Sequence, residues 1–271
     1  MRITRRRFIA TVLGLIPAAI FLDSLWFEKF FIEINEFFLG NASEKTNNIK
    51  LLQISDLHLQ EVSAKHTRLA NKINSLKPDL IVFTGDSIDK ENNLPVLNEF
   101  LQLLDPTILK AAILGNWEYW GKVDLVALRK VYDQNNCTLL INESKQYTFG
   151  NKTICITGTD DFVGGKADIH TATKNYVSSD HHVILNHCPE YSAIIQTELK
   201  EIKADLILSG HTHGGQINIF GYIPFLPQGS GGFVKGWYRD NQPPIYVSKG
   251  IGTSKVPARF GARAEVAMFR I

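Results

Sequence analysis

Five short apolar runs, each ending in residues that can bind a metal, constrain this chain more than any other feature of its 271 residues. Residues 51–54 lead into Asp56-Leu57-His58, residues 80–83 into Thr84-Gly85-Asp86, and residues 111–114 into Gly115-Asn116. Residues 183–185 precede Asn186-His187, and residues 206–208 precede Ser209-Gly210-His211-Thr212-His213-Gly214-Gly215. Apolar runs this short read as buried strands. Loops at strand ends are where side chains from distant parts of a sequence converge. One D-x-H triplet or one Gly-Asp pair belongs to an ordinary loop. An H-x-H between glycines is stronger, because it aims two imidazoles at one locus and lets the backbone approach closely. Five such blocks in succession, each after a strand, predict that the strand ends meet at one metal centre.

Helices alternate with these strands. Leu69, Ile73 and Leu76 stand at helical spacing before Pro78, and residues 94–104 and 123–132 read as two further helices. Gly150-Asn151 between two alternating segments predicts a hairpin over residues 147–157. Residues 245–247 and 265–270 read as later strands, and residues 30–39 fit an edge strand, the preferred reading, or an interfacial amphipathic helix. The fold class is therefore α/β, with mixed sheets covered by helices. Residues 49–271 form one domain, preceded by the edge strand and a polar linker within residues 30–48.

Residues 1–29 differ in kind. Arg5, Arg6 and Arg7 precede an apolar run over residues 8–22, the pattern of a twin-arginine export signal. The run is shorter than the about 20 residues of a spanning helix, and no small-x-small cleavage site follows, so a retained membrane anchor is expected. That places the protein at a membrane in a bacterial envelope. A net charge of +2 with scattered Lys and Arg argues against a nucleic-acid partner, and three widely spaced cysteines argue against a disulfide framework and a Cys-based zinc site. Nothing implies an obligate protein partner.

These motifs, D-x-H, G-D, G-N, H and G-H-x-H, resemble the calcineurin-like metallophosphoesterase superfamily from about residue 49 to the C-terminus. The resemblance implies two mixed β-sheets packed face to face and flanked by helices. It implies that Asp56, His58, Asp86 and His213 hold one divalent cation and that Asp86, Asn116, His187 and His211 hold another, Asp86 bridging. Mixed imidazole, carboxylate and amide ligands suit manganese, with iron or zinc as alternatives. Asp86, Asn116 and His187 are the expected catalytic residues, in a phosphohydrolase where metal-bound hydroxide attacks directly.

One position departs from the pattern. Where the family has Gly-Asn-His-Glu or Gly-Asn-His-Asp, this chain reads Gly115-Asn116-Trp117-Glu118. An indole N–H donates a hydrogen bond but does not usefully transfer a proton, so substrates with good leaving groups are expected. Glu118 or Tyr119 can stand in for the histidine, Trp117 can stack on a substrate ring, or it can simply pack. Trp117 and Gln216 are the candidate substrate contacts. Residues 229–236 are a candidate cover for the site. Arg259 and Arg263 can reach substrate oxygens, but as Arg side chains near a terminal strand are expected to be solvated. Capping and turn formation account for Asp89, Asp160 and Asp161. The anchor and the Gly-His-Thr-His-Gly-Gly-Gln stretch are similar to a branch with UDP-2,3-diacylglucosamine pyrophosphatases of lipid A synthesis, which implies a lipid-linked diphosphate substrate. The alternatives are an exported phosphodiesterase of envelope phosphoesters and a metal-binding protein without activity.

Overall fold

The computed structural model describes residues 4, 5, 28, 31–39, 48–199, 201–240, 242–254 and 256–271. Apart from Thr4, Arg5 and Glu28, the expected anchor over residues 1–29 lies outside the described residues, as does linker 40–47.

Among the described residues, two six-stranded sheets carry the fold. The first has the spatial order β1 (Glu33–Phe38), β12 (Glu265–Arg270), β2 (Lys50–Ile54), β3 (Leu80–Thr84), β4 (Leu109–Ile113), β5 (Cys137–Leu139). Strands β2 to β5 are parallel, β12 runs antiparallel to β2, and β1 closes the edge parallel to β12. The second has the order β10 (Gly236–Tyr238), β11 (Ile245–Val247), β9 (Leu206–Ser209), β8 (His181–Leu185), β7 (Lys152–Gly158), β6 (Glu143–Phe149). Its four middle strands are parallel and its two edge strands antiparallel.

Side chains alternate across each strand, and here both faces find apolar neighbours. Leu51, Leu80, Val82, Val183, Leu185, Leu206 and Leu208 meet between the sheets. Leu52, Ile54, Ile81 and Phe83 instead face α1 (Ala64–Leu76), α2 (Leu94–Gln102) and α4 (Leu125–Gln134), which contribute Leu69, Ile73, Phe100 and Leu128. On the far side Ile184 and Ile207 pack on α5 (Ile169–Ala172) and α6 (Tyr191–Glu198). Burial on two faces is why these strands are continuous apolar runs rather than alternating ones. The result is the expected face-to-face pair of mixed sheets between helical layers. The short α3 (Asn116–Trp120) starts almost directly after β4. The helix expected over residues 123–132 begins at Leu125, because the Asp124 carboxylate accepts the N–H groups of Val126 and Ala127 and caps it.

Candidate metal centre

Strands β2, β3 and β4 of one sheet and β8 and β9 of the other deliver their C-terminal loops to one place. The two sheets are tied there: His211 N–H donates to Asp56 Oδ1 at 3.0 Å, and Gln53 Nε2 donates to Ser209 O at 2.9 Å. All seven candidate ligands are buried at this junction.

They form two groups. His58 Nε2 lies 3.1 Å from His213 Nε2 and 3.7 Å from Asp86 Oδ2, and His213 Nε2 lies 3.5 Å from Asp56 Oδ1. His187 Nε2 lies 3.2 Å from Asn116 Oδ1, 3.2 Å from His211 Nδ1 and 3.3 Å from Asp86 Oδ2. Asp86 Oδ2 therefore belongs to both groups, as the resemblance implies.

The outward nitrogens decide what the inward ones can do. His58 Nδ1 is 2.5 Å from Asp89 Oδ1, His187 Nδ1 2.8 Å from Thr84 O, and His211 Nε2 2.7 Å from Gln228 O. Each of these oxygens accepts, so each ring donates outward and turns a lone pair inward. The His187 and His211 lone pairs, 3.2 Å apart and beside the Asp86 and Asn116 oxygens, repel unless a cation lies among them. The donor set thus fits divalent metal. His213 is different, because its Nδ1 faces Arg259 Nη2 at 3.3 Å and a guanidinium only donates.

Electrostatics follow the same geometry. Burial disfavours the charge on Asp86, but His187, His58 and the Trp117 N–H outweigh it and hold the carboxyl well below the usual range. Burial raises Asp56. Burial and the neighbouring His187 bring His211 down to about 4, and burial with His58 and Arg259 keeps His213 well below its ordinary value. Burial also opposes charge on His58, which Asp89 and Asp86 nevertheless hold above its ordinary value.

The backbone is bent to suit. Asp56, His58, Asp86, His211 and His213 all have positive φ, between 46° and 72°, a region non-glycine residues rarely occupy. Gly85 has φ 89°, and a Cβ there would collide with His187 Nδ1.

Several expectations need correction. Glu118 does not replace the missing histidine: its carboxylate is buried and accepts the backbone N–H groups of Asp86, Ser87, Ile88 and Gly115 at 2.7–3.3 Å. Burial and Asp86 push it up to about 8. Tyr119 is engaged elsewhere, donating to Asp160 Oδ1 at 2.6 Å. Arg259 is not solvated but completely buried, donating to the carbonyls of Gly252, Lys249 and Ala262. Asp89 does more than shape a turn, since it orients His58. Asp161 serves its turn, accepting from Val163 N–H, and also accepts from Cys188 Sγ at 3.1 Å. Cys188 is buried, and its Sγ lies within 4.8 Å of a ring nitrogen of His187 and of His211. Arg263 pairs with Glu33 at 3.1 Å.

Above the ligands opens a cavity of about 440 Å³. Its floor includes Asp86, Asn116, His211 and His213, and Trp117, Trp120, Ile217, Phe225 and Val256 give it an apolar wall. Trp117 thus sits where a substrate contact is expected. Gln216 lines the cavity too, but its side chain is occupied by Val256 O and Ser254 N–H. None of the expected residues 229–236 lines the cavity, whose nearby wall comes from Ile217, Pro224, Phe225, Pro227 and Gln228; Thr212 Oγ1 donates to Val234 O at 2.5 Å and Lys235 Nζ to Gly261 O at 2.6 Å.

A sandwich of two mixed sheets with a buried Asp/His cluster at the strand ends defines a metal-dependent phosphoester hydrolase. The chain belongs to the calcineurin-like phosphoesterases, the family matched by residues 49–215. It is 31% identical over 230 residues to the uncharacterized metallophosphoesterase YkoQ of Bacillus subtilis, covering 82% of this chain and 83% of the relative. It is 28% identical over 286 residues to YkuE of the same organism, covering 100% and 98%. The 5'-nucleotidase precursor of Thermus thermophilus superposes with a TM-score of 0.49 at 14% identity, over 83% of this chain and 55% of that one. This chain thus spans about half the length of that nucleotidase.

Proposed function

We propose that the chain binds two divalent cations through Asp56, His58, Asp86, Asn116, His187, His211 and His213, and hydrolyses a lipid-linked diphosphate such as UDP-2,3-diacylglucosamine. The observation that carries this reading is the pair of inward-facing donor groups sharing Asp86 Oδ2 beneath a cavity with an apolar wall. When bound, the cations, manganese first and iron or zinc as alternatives, would supply Lewis acidity toward the phosphoryl oxygens and a water nucleophile. The chain's part is positional. Asn116 and His187 fix one side of the shared oxygen, and His58 and His213 the other.

Leaving-group chemistry favours an anhydride. Trp117 cannot pass a proton, Glu118 is spent on backbone N–H groups, and the Tyr119 hydroxyl is given to Asp160. No acid from α3 is left to protonate an alkoxide. A departing phosphate monoester needs none, and the indole faces offer an apolar or ring-bearing substrate a surface on which to lie.

The second reading, an exported phosphodiesterase acting on envelope phosphoesters, is favoured by Arg5, Arg6 and Arg7. The test is manganese-dependent hydrolysis by the full chain in detergent, comparing UDP-2,3-diacylglucosamine with bis-p-nitrophenyl phosphate. Preference for the lipid diphosphate supports the first reading. Cleavage of the aryl diester alone replaces it with the second.

A further inference from the structure

Among the described residues, exposed apolar side chains collect beside the cavity. Phe220 is 98% exposed, Tyr222 67% and Phe225 65%, with Ile219 and Val256 exposed as well. Phe225 and Val256 also line the cavity, so its apolar wall continues outward onto the surface.

This surface feature is a built element. Ile219 and Tyr222 exchange backbone hydrogen bonds of 2.8 and 2.9 Å, closing a hairpin over Phe220 and Gly221. Asn218 Oδ1 accepts from Gly221 N–H at 2.8 Å and fixes the turn. Both central residues have positive φ, 50° and 97°, as such tight turns require. Glycine suits that geometry, whereas a bulky aromatic is an outlier in it. Phe220 therefore stands in an unfavourable conformation and in water, and the fold of the domain gains nothing from it. Such an outlier points to function.

Covalent connectivity indicates what the hairpin meets. Asn218 N–H donates to Phe260 O at 2.7 Å, so the hairpin springs from the strip of chain over residues 260–264. Glu28 docks on that same strip: its carboxylate accepts the N–H groups of Gly261 and Ala262 at 2.9 and 3.0 Å, and its carbonyl accepts from Ala264 N–H at 3.1 Å. The apolar run over residues 8–22 ends six residues earlier, a tether of at most about 20 Å. Glu28, six residues after the run with membrane-binding composition, and the exposed aromatic hairpin thus both rest on one strip.

We propose that residues 217–225 contact a lipid bilayer, with Phe220 and Tyr222 seated at its interface and the cavity mouth facing the membrane surface. Aromatic rings suit that boundary, and two weak anchors hold a protein at a membrane where one is marginal. Lipid-linked phosphate then reaches the metal centre without leaving the interface. The last point rests on the proposed lipid substrate, whereas the membrane contact does not.

The test uses the full chain reconstituted in phospholipid vesicles, carrying an environment-sensitive fluorophore on Phe220→Cys or, as control, Val177→Cys. The three native cysteines are buried, which keeps labelling selective. Val177 is exposed and precedes β8, at the end of the strand opposite His187. The label at 220 should shift to the blue and be quenched by lipids brominated on their acyl chains, and the label at 177 should not. Equal quenching of both labels by aqueous iodide overturns the proposal. So does a label at 220 shielded from iodide yet untouched by brominated lipid, which would mean contact with protein. Phe220→Ser should lower cleavage of vesicle-borne UDP-2,3-diacylglucosamine about tenfold, the factor that loss of one interfacial aromatic contact implies, and leave bis-p-nitrophenyl phosphate unchanged. Bilayer quenching in a parent protein that cleaves no lipid diphosphate would sustain the membrane contact and discard the lipid-diphosphate reading.

Discussion

At the residue scale, the site depends on groups that lie behind the ligands. Asp89 fixes the tautomer of His58 through a contact of 2.5 Å. Asp89→Asn keeps an acceptor but loses the charge, so manganese affinity should fall about 10–100-fold, measured by titration calorimetry with the fold intact by circular dichroism. Unchanged affinity would reduce Asp89 to a turn residue. Asp86→Ala removes the oxygen common to both groups and should abolish turnover and lower metal content, read by elemental analysis; retained turnover would sink the shared-oxygen reading. The convergence of the seven candidate ligands was legible in the sequence because each follows an apolar strand. Asp89, Glu118 and Arg259 were not, because what they touch is set by three-dimensional approach, and a charged residue in a loop carries no mark of its burial.

At the element scale, legibility followed period and length. β2, β3, β8 and β9 stand out as apolar runs between polar loops, and the hairpin of β6 and β7 is marked by Gly150-Asn151. Strands of three residues such as β5 and β10 carry no periodicity, and α6 buries only Tyr191, Ser192 and Ile195, too few to write a helical pattern. Helix α1 supplies a pH-dependent prediction. His66 is buried in its first turn, where its Nδ1 accepts from Ser63 N–H at 3.1 Å. Burial and neighbouring Lys65 lower its pKa from 6.5 to about 4. A histidine lowered on folding favours the neutral form, so its contribution is whole above pH 6.5 and is lost as pH falls toward 4. Urea unfolding should show stability declining through that window, and His66→Gln should flatten part of the slope. Near the C-terminus, Arg259→Met leaves the carbonyls of Gly252, Lys249 and Ala262 short of a buried donor, at a cost of about 1–3 kcal/mol per unsatisfied group. A change below about 0.5 kcal/mol in denaturant titration, the range of an ordinary surface substitution, would contradict that account.

At the scale of the whole molecule, the metal centre is the joint between two sheets that each have their own helical cover. The space between them is filled by side chains such as Leu51, Val82, Val183 and Leu208, which need no metal to stay buried. In the loops above, five of the candidate ligand residues hold positive φ, a conformation that non-glycine residues rarely occupy. A cation that binds only the folded arrangement stabilises it by mass action, and the loops it gathers are the parts that gain most. Chelation should therefore lower the melting temperature in a manner reversed by added manganese. It should also raise amide hydrogen exchange over residues 55–60, 85–89 and 210–216, loops drawn from both sheets, while β3 and β8 stay protected. Exchange that rises in the loops of one sheet alone would mean the cations are held by that sheet and do not join the two. A global rise including β3 and β8 would mean the sandwich itself needs the metal, which the packing between the sheets argues against.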